Sequence, residues 1–235
     1  MTDVRSPTVA AFFDVDGTLA RTTIVHYYVY FRRRRLSPLV GALWQAGLMA
    51  KCLYYLVLDK IDRSRLNVVF YRSYAGLPVD DIQALAEDCY RDVLVPRQFV
   101  EAPACVAAQQ EAGRRIVFVT GSLDFIMAPL ARDLKADAVI APSLEERRGR
   151  FTGALTGPPI GDAEKARRMR AYAETHGIDL TSSYAYADSI ADLAMLETVG
   201  HPRVVNPDRA LAAVAGKRGW PLLRWHLAPT GKRGA

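Results

Sequence analysis

The chain has 235 residues, 50% hydrophobic and 24% charged, which excludes a disordered polymer and fits one large domain or a core with an inserted module. A formal net charge of +6 admits phosphorylated small molecules, an anionic membrane or nucleic acid as partners. No RNA-binding or helix-turn-helix signature accompanies that charge, so nucleic acid is set aside.

In chain order, Met1–Pro7 lacks the apolar run of a secretory signal. Val9–Phe13 then reads as a buried strand that Gly17 ends in a turn, leaving Asp14 and Asp16 at its mouth. Residues i and i+2 of an extended chain point to the same side, so one carboxylate can attack or hold a metal while the other handles a proton. A calcium loop wants a third oxygen ligand before the glycine and a later Glu, and neither is present.

Residues 22 to 95 read as helical throughout. Arg32–Arg35 concentrate much of the positive charge, and from Leu36 to Leu58 the only charged residue is Lys51. The helix-competent part, 39–58, would be about 30 Å long, near bilayer thickness. A single crossing would separate Asp14 from Asp188 across the membrane, and Lys51 would add a cost of about 2.5–3.5 kcal/mol. Two readings therefore stand: a buried helix pair broken near Gly47, or an interfacial segment helped by the arginines, Trp44, Tyr54 and Tyr55.

Strands are predicted at Arg115–Thr120, Ala136–Ile140, Tyr184–Ala187 and Pro202–Val205, with helices at Asp124–Leu134, Ala163–His176, Ile190–Val199 and Asp208–Ala215. Arg150–Leu155 reads as one arm of a small hairpin. Trp220–Trp225 suits core packing, with an interfacial anchor as the second reading. Cys52, Cys89 and Cys105 are odd in number and lack zinc-like spacing, as in a reducing, cytoplasmic setting. Alternating strand and helix implies an α/β fold, a parallel sheet with helices on both faces.

In such sheets chemistry gathers beyond the carboxyl ends of the strands. The first strand delivers Asp14 and Asp16; the second, Thr120, Gly121 and Ser122; a later one, Asp188 with Asp192 four residues on. Lys165 opens a helix after the Gly/Pro-rich Thr156–Gly161. Singly, Thr120, Ser122 or Asp188 could be a helix cap and Lys165 a surface lysine. Together they suit a phosphate monoester. A divalent cation held by Asp14 and Asp188 would offset its charge, and oxygen-only ligands favour Mg²⁺. Lys165, Thr120 and the N–H groups of Gly121 and Ser122 would hold the phosphate. Asp14 would attack in line while Asp16 moves the proton.

These motifs resemble the haloacid-dehalogenase-like phosphatase superfamily, nearest its phosphoserine-phosphatase-like branch. Asp14–Thr18 matches the first motif, Thr120–Ser122 the second, Lys165 the third and Asp188–Asp192 the fourth. The resemblance covers about residues 9 to 205. It implies a Rossmann-like core with a helical cap inserted after the first motif, Asp14 as nucleophile and Asp16 as general acid/base. It also implies Mg²⁺ on Asp14, Asp188 and the Asp16 backbone carbonyl, with Asp192 supporting the metal directly or through water. Ala191 stands where many relatives carry Asn, and Thr23 near where phosphoserine phosphatases carry a Glu that reads the substrate's amino group.

The expected division is a core of 1–21 and 96–225, a cap of 22–95 and a flexible tail of 226–235. The expected function is Mg²⁺-dependent hydrolysis of a small or lipid-linked phosphate monoester, Arg72 binding a substrate carboxylate or second phosphate. The expected place is the cytoplasm, with peripheral contact at the inner membrane face on the interfacial reading; no protein partner can be inferred. The alternatives are a catalytically weak binding or regulatory protein, motivated by Ala191, and phosphotransfer to an acceptor other than water.

Overall fold

The computed structural model describes residues 8–37, 40, 47 and 69–228. Its strands are β1 (Ala10–Phe13), β2 (Arg115–Val119), β3 (Ala138–Ile140), β4 (Leu144–Arg147), β5 (Arg150–Leu155), β6 (Tyr184–Ala187), β7 (His201–Val205) and β8 (Leu222–Leu223). Six of them form a parallel sheet in the order β3-β2-β1-β6-β7-β8, and β4 and β5 make a separate antiparallel hairpin. The helices are α1 (Ile24–Arg34), α2 (Val79–Ala84), α3 (Ala86–Cys89), α4 (Glu101–Glu111), α5 (Asp124–Asp133), α6 (Asp162–His176), α7 (Leu193–Leu196) and α8 (Arg209–Arg218).

β1 lies in the middle of the sheet, pairing Phe12 with Val117 of β2 on one side and with Ala185 of β6 on the other. All four of its residues are buried, so apolar side chains are needed on both faces and no polar alternation appears. Phe13 faces one core, stacked on Tyr186 at 4.4 Å and edge-on to Phe118 at 6.4 Å. Phe12 faces the other, with Met169, Leu196 and Leu211. The chain leaves β1 toward β2 and β3, then returns to its far side at β6. Strand order thus reverses at β1, and the crevice beyond the carboxyl ends of β1, β2 and β6 is where such sheets hold ligands.

The parallel α/β architecture is as read from the sequence; the differences are local. Within 22–95 the described chain is not one helical run. Gly76 (φ +79°) and Pro78 interrupt it before α2, and a π-helical turn at Tyr90–Leu94 and a 3₁₀ turn at Val95–Arg97 follow α3. The helix expected at Ile190–Val199 is a 3₁₀ turn (Ile190–Asp192) followed by the four-residue α7. Helix α4 and strand β8 were not expected. The chain expected to be a tail from 226 is fastened at its start: the His226 backbone N–H and ring both meet Glu101, and Leu227 bridges to Phe99. Trp225 is buried in the core, as the packing reading requires.

Among the described residues no helix is long and apolar enough to cross a membrane. Most of Leu36–Leu58, with Lys51 and the aromatic residues Trp44, Tyr54 and Tyr55, lies outside the described residues.

Candidate active site

The turn after β1 places the first carboxylates. Asp14 continues the strand, its backbone N–H donating to the Tyr186 carbonyl at 2.9 Å, and its side chain is buried. Gly17 (φ +99°) then folds the chain back, so that the Thr18 hydroxyl lies 2.9 Å from Asp14 Oδ2 and 3.2 Å from Asp188 Oδ1. Thr18 is fully buried and ties the loops after β1 and β6 together.

Lys165, in the first turn of α6, reaches this group from the opposite side. Its Nζ donates to Asp14 Oδ1 at 2.6 Å and lies 2.7 Å from Asp192 Oδ1. A lysine 5% exposed needs such partners. Burial favours the neutral amine, but the adjacent Asp14 and Asp192 outweigh it and raise the lysine above its ordinary pKa. Asp14, Asp188 and Asp192 offer carboxylate oxygens that all lie within 4.8 Å of one another. Three carboxylates against one ammonium leave a negative surplus, and an all-oxygen donor set of this kind fits Mg²⁺.

Asp16 is held in a second network. Its Oδ1 accepts from the Thr22 hydroxyl at 2.7 Å and the Tyr27 hydroxyl at 2.9 Å, and its Oδ2 from the Ser122 hydroxyl at 2.6 Å and, more weakly, Thr120 at 3.4 Å. Thr120 Oγ1 also accepts the Ser122 N–H at 3.0 Å, which shapes the loop after β2. The Gly121 carbonyl accepts from the buried Tyr71 hydroxyl. Burial first, and the Asp16 charge second, push Tyr27 and Tyr71 well above the ordinary tyrosine pKa. Both phenols therefore stay protonated and act as donors.

Loop 188–192 is braced from behind. Asp208 caps α8 by accepting from Leu211 N–H, accepts the Ile190 N–H at 2.8 Å, and donates its own N–H to the Asp188 carbonyl at 2.8 Å. Ser189 accepts from the Ala191 N–H at 3.3 Å, so Ala191 contributes backbone and no side-chain polar group.

The structure thus draws together Asp14, Asp188, Asp192 and Lys165 in one group, and Asp16, Thr120 and Ser122 in another, with Gly121 between Ser122 and Thr120. The Asp16 side chain stands apart from the carboxylate trio of Asp14, Asp188 and Asp192. Arg72 follows Tyr71 in the chain and is exposed; among the described residues it joins neither network. Sequence reading overlooked Thr18, Thr22, Tyr27, Tyr71 and Asp208 as site residues. Thr18 had a signal, a hydroxyl directly after the turn glycine. The tyrosines had none, because their reach depends on how distant segments fold back.

The family model for haloacid dehalogenase-like hydrolases matches residues 11–197. A probable phosphatase of Mycobacterium tuberculosis is 34% identical over 222 residues, covering 91% of this chain and 74% of that protein. A solved structure of a Bordetella pertussis protein with unknown function superposes with a TM-score of 0.78 at 27% identity, covering 93% of this chain and 99% of that one. A phospho-aspartyl intermediate analogue of phosphoserine phosphatase shares the fold at a TM-score of 0.68 and 16% identity, covering 93% and 94%. With its four motifs folded into one crevice, the chain belongs to the haloacid dehalogenase-like hydrolases, on their phosphoserine-phosphatase-like branch of phosphatases.

Proposed function

We propose that the protein is a Mg²⁺-dependent phosphomonoester hydrolase that works through an aspartyl-phosphate on Asp14. The observation that carries this reading is the separation of two neighbouring carboxylates into different surroundings. Asp14 shares a buried ammonium with Asp192, whereas Asp16 is gripped by hydroxyls alone. Groups so divided suit nucleophile and proton carrier.

A carboxylate oxygen of Asp14 attacks phosphorus in line as the bond to the ester oxygen breaks. Asp16 gives that oxygen its proton, and the alcohol leaves. Asp16 then takes a proton from water, whose oxygen attacks the same phosphorus; the bond to Asp14 breaks and inorganic phosphate departs. Lys165 and the Thr120–Ser122 loop hold the phosphoryl oxygens throughout. Asp14, Asp188 and Asp192, with the Asp16 carbonyl, would hold Mg²⁺, which supplies positive charge against the anionic transition state.

Residues 1–21 and 96–225 would form the catalytic core, with 22–95 as the inserted cap that selects the substrate. Arg72 would meet a carboxylate or second phosphate on the leaving group. The substrate would be a small cytoplasmic monoester, a lipid-linked one following only if the segment 36–58 meets membrane.

Phosphate release with Mg²⁺ from phosphoserine, histidinol phosphate, glycerol phosphate, lysophosphatidate and phosphatidylglycerophosphate tests this. Release lost in Asp14→Asn supports the reading, and the best ester separates soluble from lipid substrates. A folded, Mg²⁺-binding protein that releases no phosphate from any of them overturns it in favour of a binding protein. Label passing to an added alcohol in preference to water would replace hydrolysis with phosphotransfer.

A further inference from the structure

We propose that the Thr22–Tyr27 hydroxyl pair is the positioning device for Asp16, aiming its carboxyl group at the oxygen of the departing alcohol. This rests on the phosphatase reading above. The Tyr27 hydroxyl lies 2.9 Å from Asp16 Oδ1 and 2.8 Å from Thr22 Oγ1, and Thr22 lies 2.7 Å from that same carboxylate oxygen. The three groups form a closed triangle. Tyr27 is fully buried and Thr22 is 3% exposed, so water does not compete for these bonds.

The triangle is anchored from outside the loop that carries Asp16. Tyr27 sits on the buried face of α1 with Tyr28 and Phe31, and Tyr28 in turn donates to the Ser73 carbonyl at 2.9 Å. Ser122 and Thr120 hold the other oxygen, Oδ2, from the loop after β2. Asp16 is thereby clamped at both oxygens by separate segments, which fixes the rotation of the carboxyl group about its Cβ–Cγ bond. Weakening the Oδ1 clamp leaves the Oδ2 bonds alone to resist that rotation and gives the carboxyl group more freedom to turn. A proton donor or acceptor must lie within hydrogen-bond reach of its partner oxygen. That freedom therefore slows both the step in which Asp16 gives up its proton and the later one in which it takes a proton from water. The ratio kcat/KM, which ends at phosphoenzyme formation, reports the first alone.

An aryl phosphate and an alkyl phosphate separate this role from general damage. Nitrophenolate departs without a proton, whereas an alkoxide needs one. Phosphoenzyme formation, read as kcat/KM, therefore depends on Asp16 placement for glycerol phosphate far more than for p-nitrophenyl phosphate.

In Tyr27→Phe we expect kcat/KM for the alkyl ester to fall by about tenfold or more, a fraction of what general acid catalysis supplies. The aryl ester should lose about threefold at most, and the alkyl loss should lie in kcat rather than KM. Thr22→Val should show the same selective loss and Thr22→Ser should rescue it. The Thr22 pair changes little volume and gives the reading if Tyr27→Phe does not fold. Equal losses on the two esters, or none on either, overturn the proposal while leaving the phosphatase reading intact. A wild-type protein that releases phosphate from neither of these esters nor from any other of the esters named above overturns both. Where a different alkyl ester of that set is the better substrate, it takes the place of glycerol phosphate.

Discussion

At Gly17 one hydrogen atom holds the site open. The residue sits at φ +99°, and a Cβ built there would lie 2.2 Å from Asp188 Oδ2 and 2.6 Å from its Cγ. Two costs coincide in Gly17→Ala: left-handed backbone, which a side chain disfavours by about 1 kcal/mol or more, and displacement of a carboxylate from the trio proposed to hold Mg²⁺. We expect a loss of roughly 1–3 kcal/mol in urea unfolding and at least a tenfold rise in the Mg²⁺ concentration that half-saturates binding. Isothermal titration with Mg²⁺ reads the second effect directly. Unchanged affinity would show that Asp188 can swing away without leaving the metal. The glycine was legible as the end of a strand, but its closeness to Asp188 was not. The two residues lie far apart in sequence and meet only because β1 and β6 are neighbours in the sheet.

Among the secondary elements, α8 matters to a loop that it does not contain. Asp208 accepts from Leu211 N–H as the helix cap while its other oxygen holds Ile190 N–H and its backbone N–H holds the Asp188 carbonyl. A single residue thus starts a helix and fixes the path of the Asp188–Asp192 loop. Asp208→Ala should lose about 1–2 kcal/mol of stability, the ordinary worth of an N-cap, and should also weaken Mg²⁺ binding severalfold. Asp208→Asn keeps one accepting oxygen, which can cap Leu211 N–H but cannot also hold Ile190 N–H, so it should restore stability and leave Mg²⁺ binding weakened. Loss of stability with unaltered Mg²⁺ titration would confine Asp208 to capping. The sequence marked Asp208 only as the start of a helix; its second contact depends on the packing of α8 beside the Asp188–Asp192 loop. Elsewhere the legible elements are those with a strong pattern. Buried parallel strands appear as plain apolar runs, whereas α4 buries only Ala102, Val106 and Gln109 and presents little contrast between its faces. Strand β8 has two residues, too short for any period to show.

Across the whole molecule, the four motifs meet because strand order reverses at β1; the alternation of strands and helices implied a parallel sheet with its chemistry at the carboxyl ends, but not that order. What closes the sheet edge did not. After β7 the chain turns at Asn206, whose side chain accepts from the Trp225 N–H and donates to the Trp225 carbonyl, both at 3.0 Å, while Val205 pairs with Leu223. Trp225, 9% exposed, packs into the same core as Phe13 and Phe118, and the next residue is held by Glu101 on α4. A tryptophan serving as a membrane anchor would keep its ring accessible, and its removal would barely touch stability in water. A core tryptophan behaves otherwise. Trp225→Ala should cost about 3–5 kcal/mol, which for a chain of this size lowers Tm by roughly 6–20 °C. Calorimetry without lipid makes the comparison, and Trp225→Phe should recover much of the loss by refilling the volume. A Tm within about 2 °C of wild type would return Trp225 to the surface and reopen the membrane-facing reading of this end of the chain.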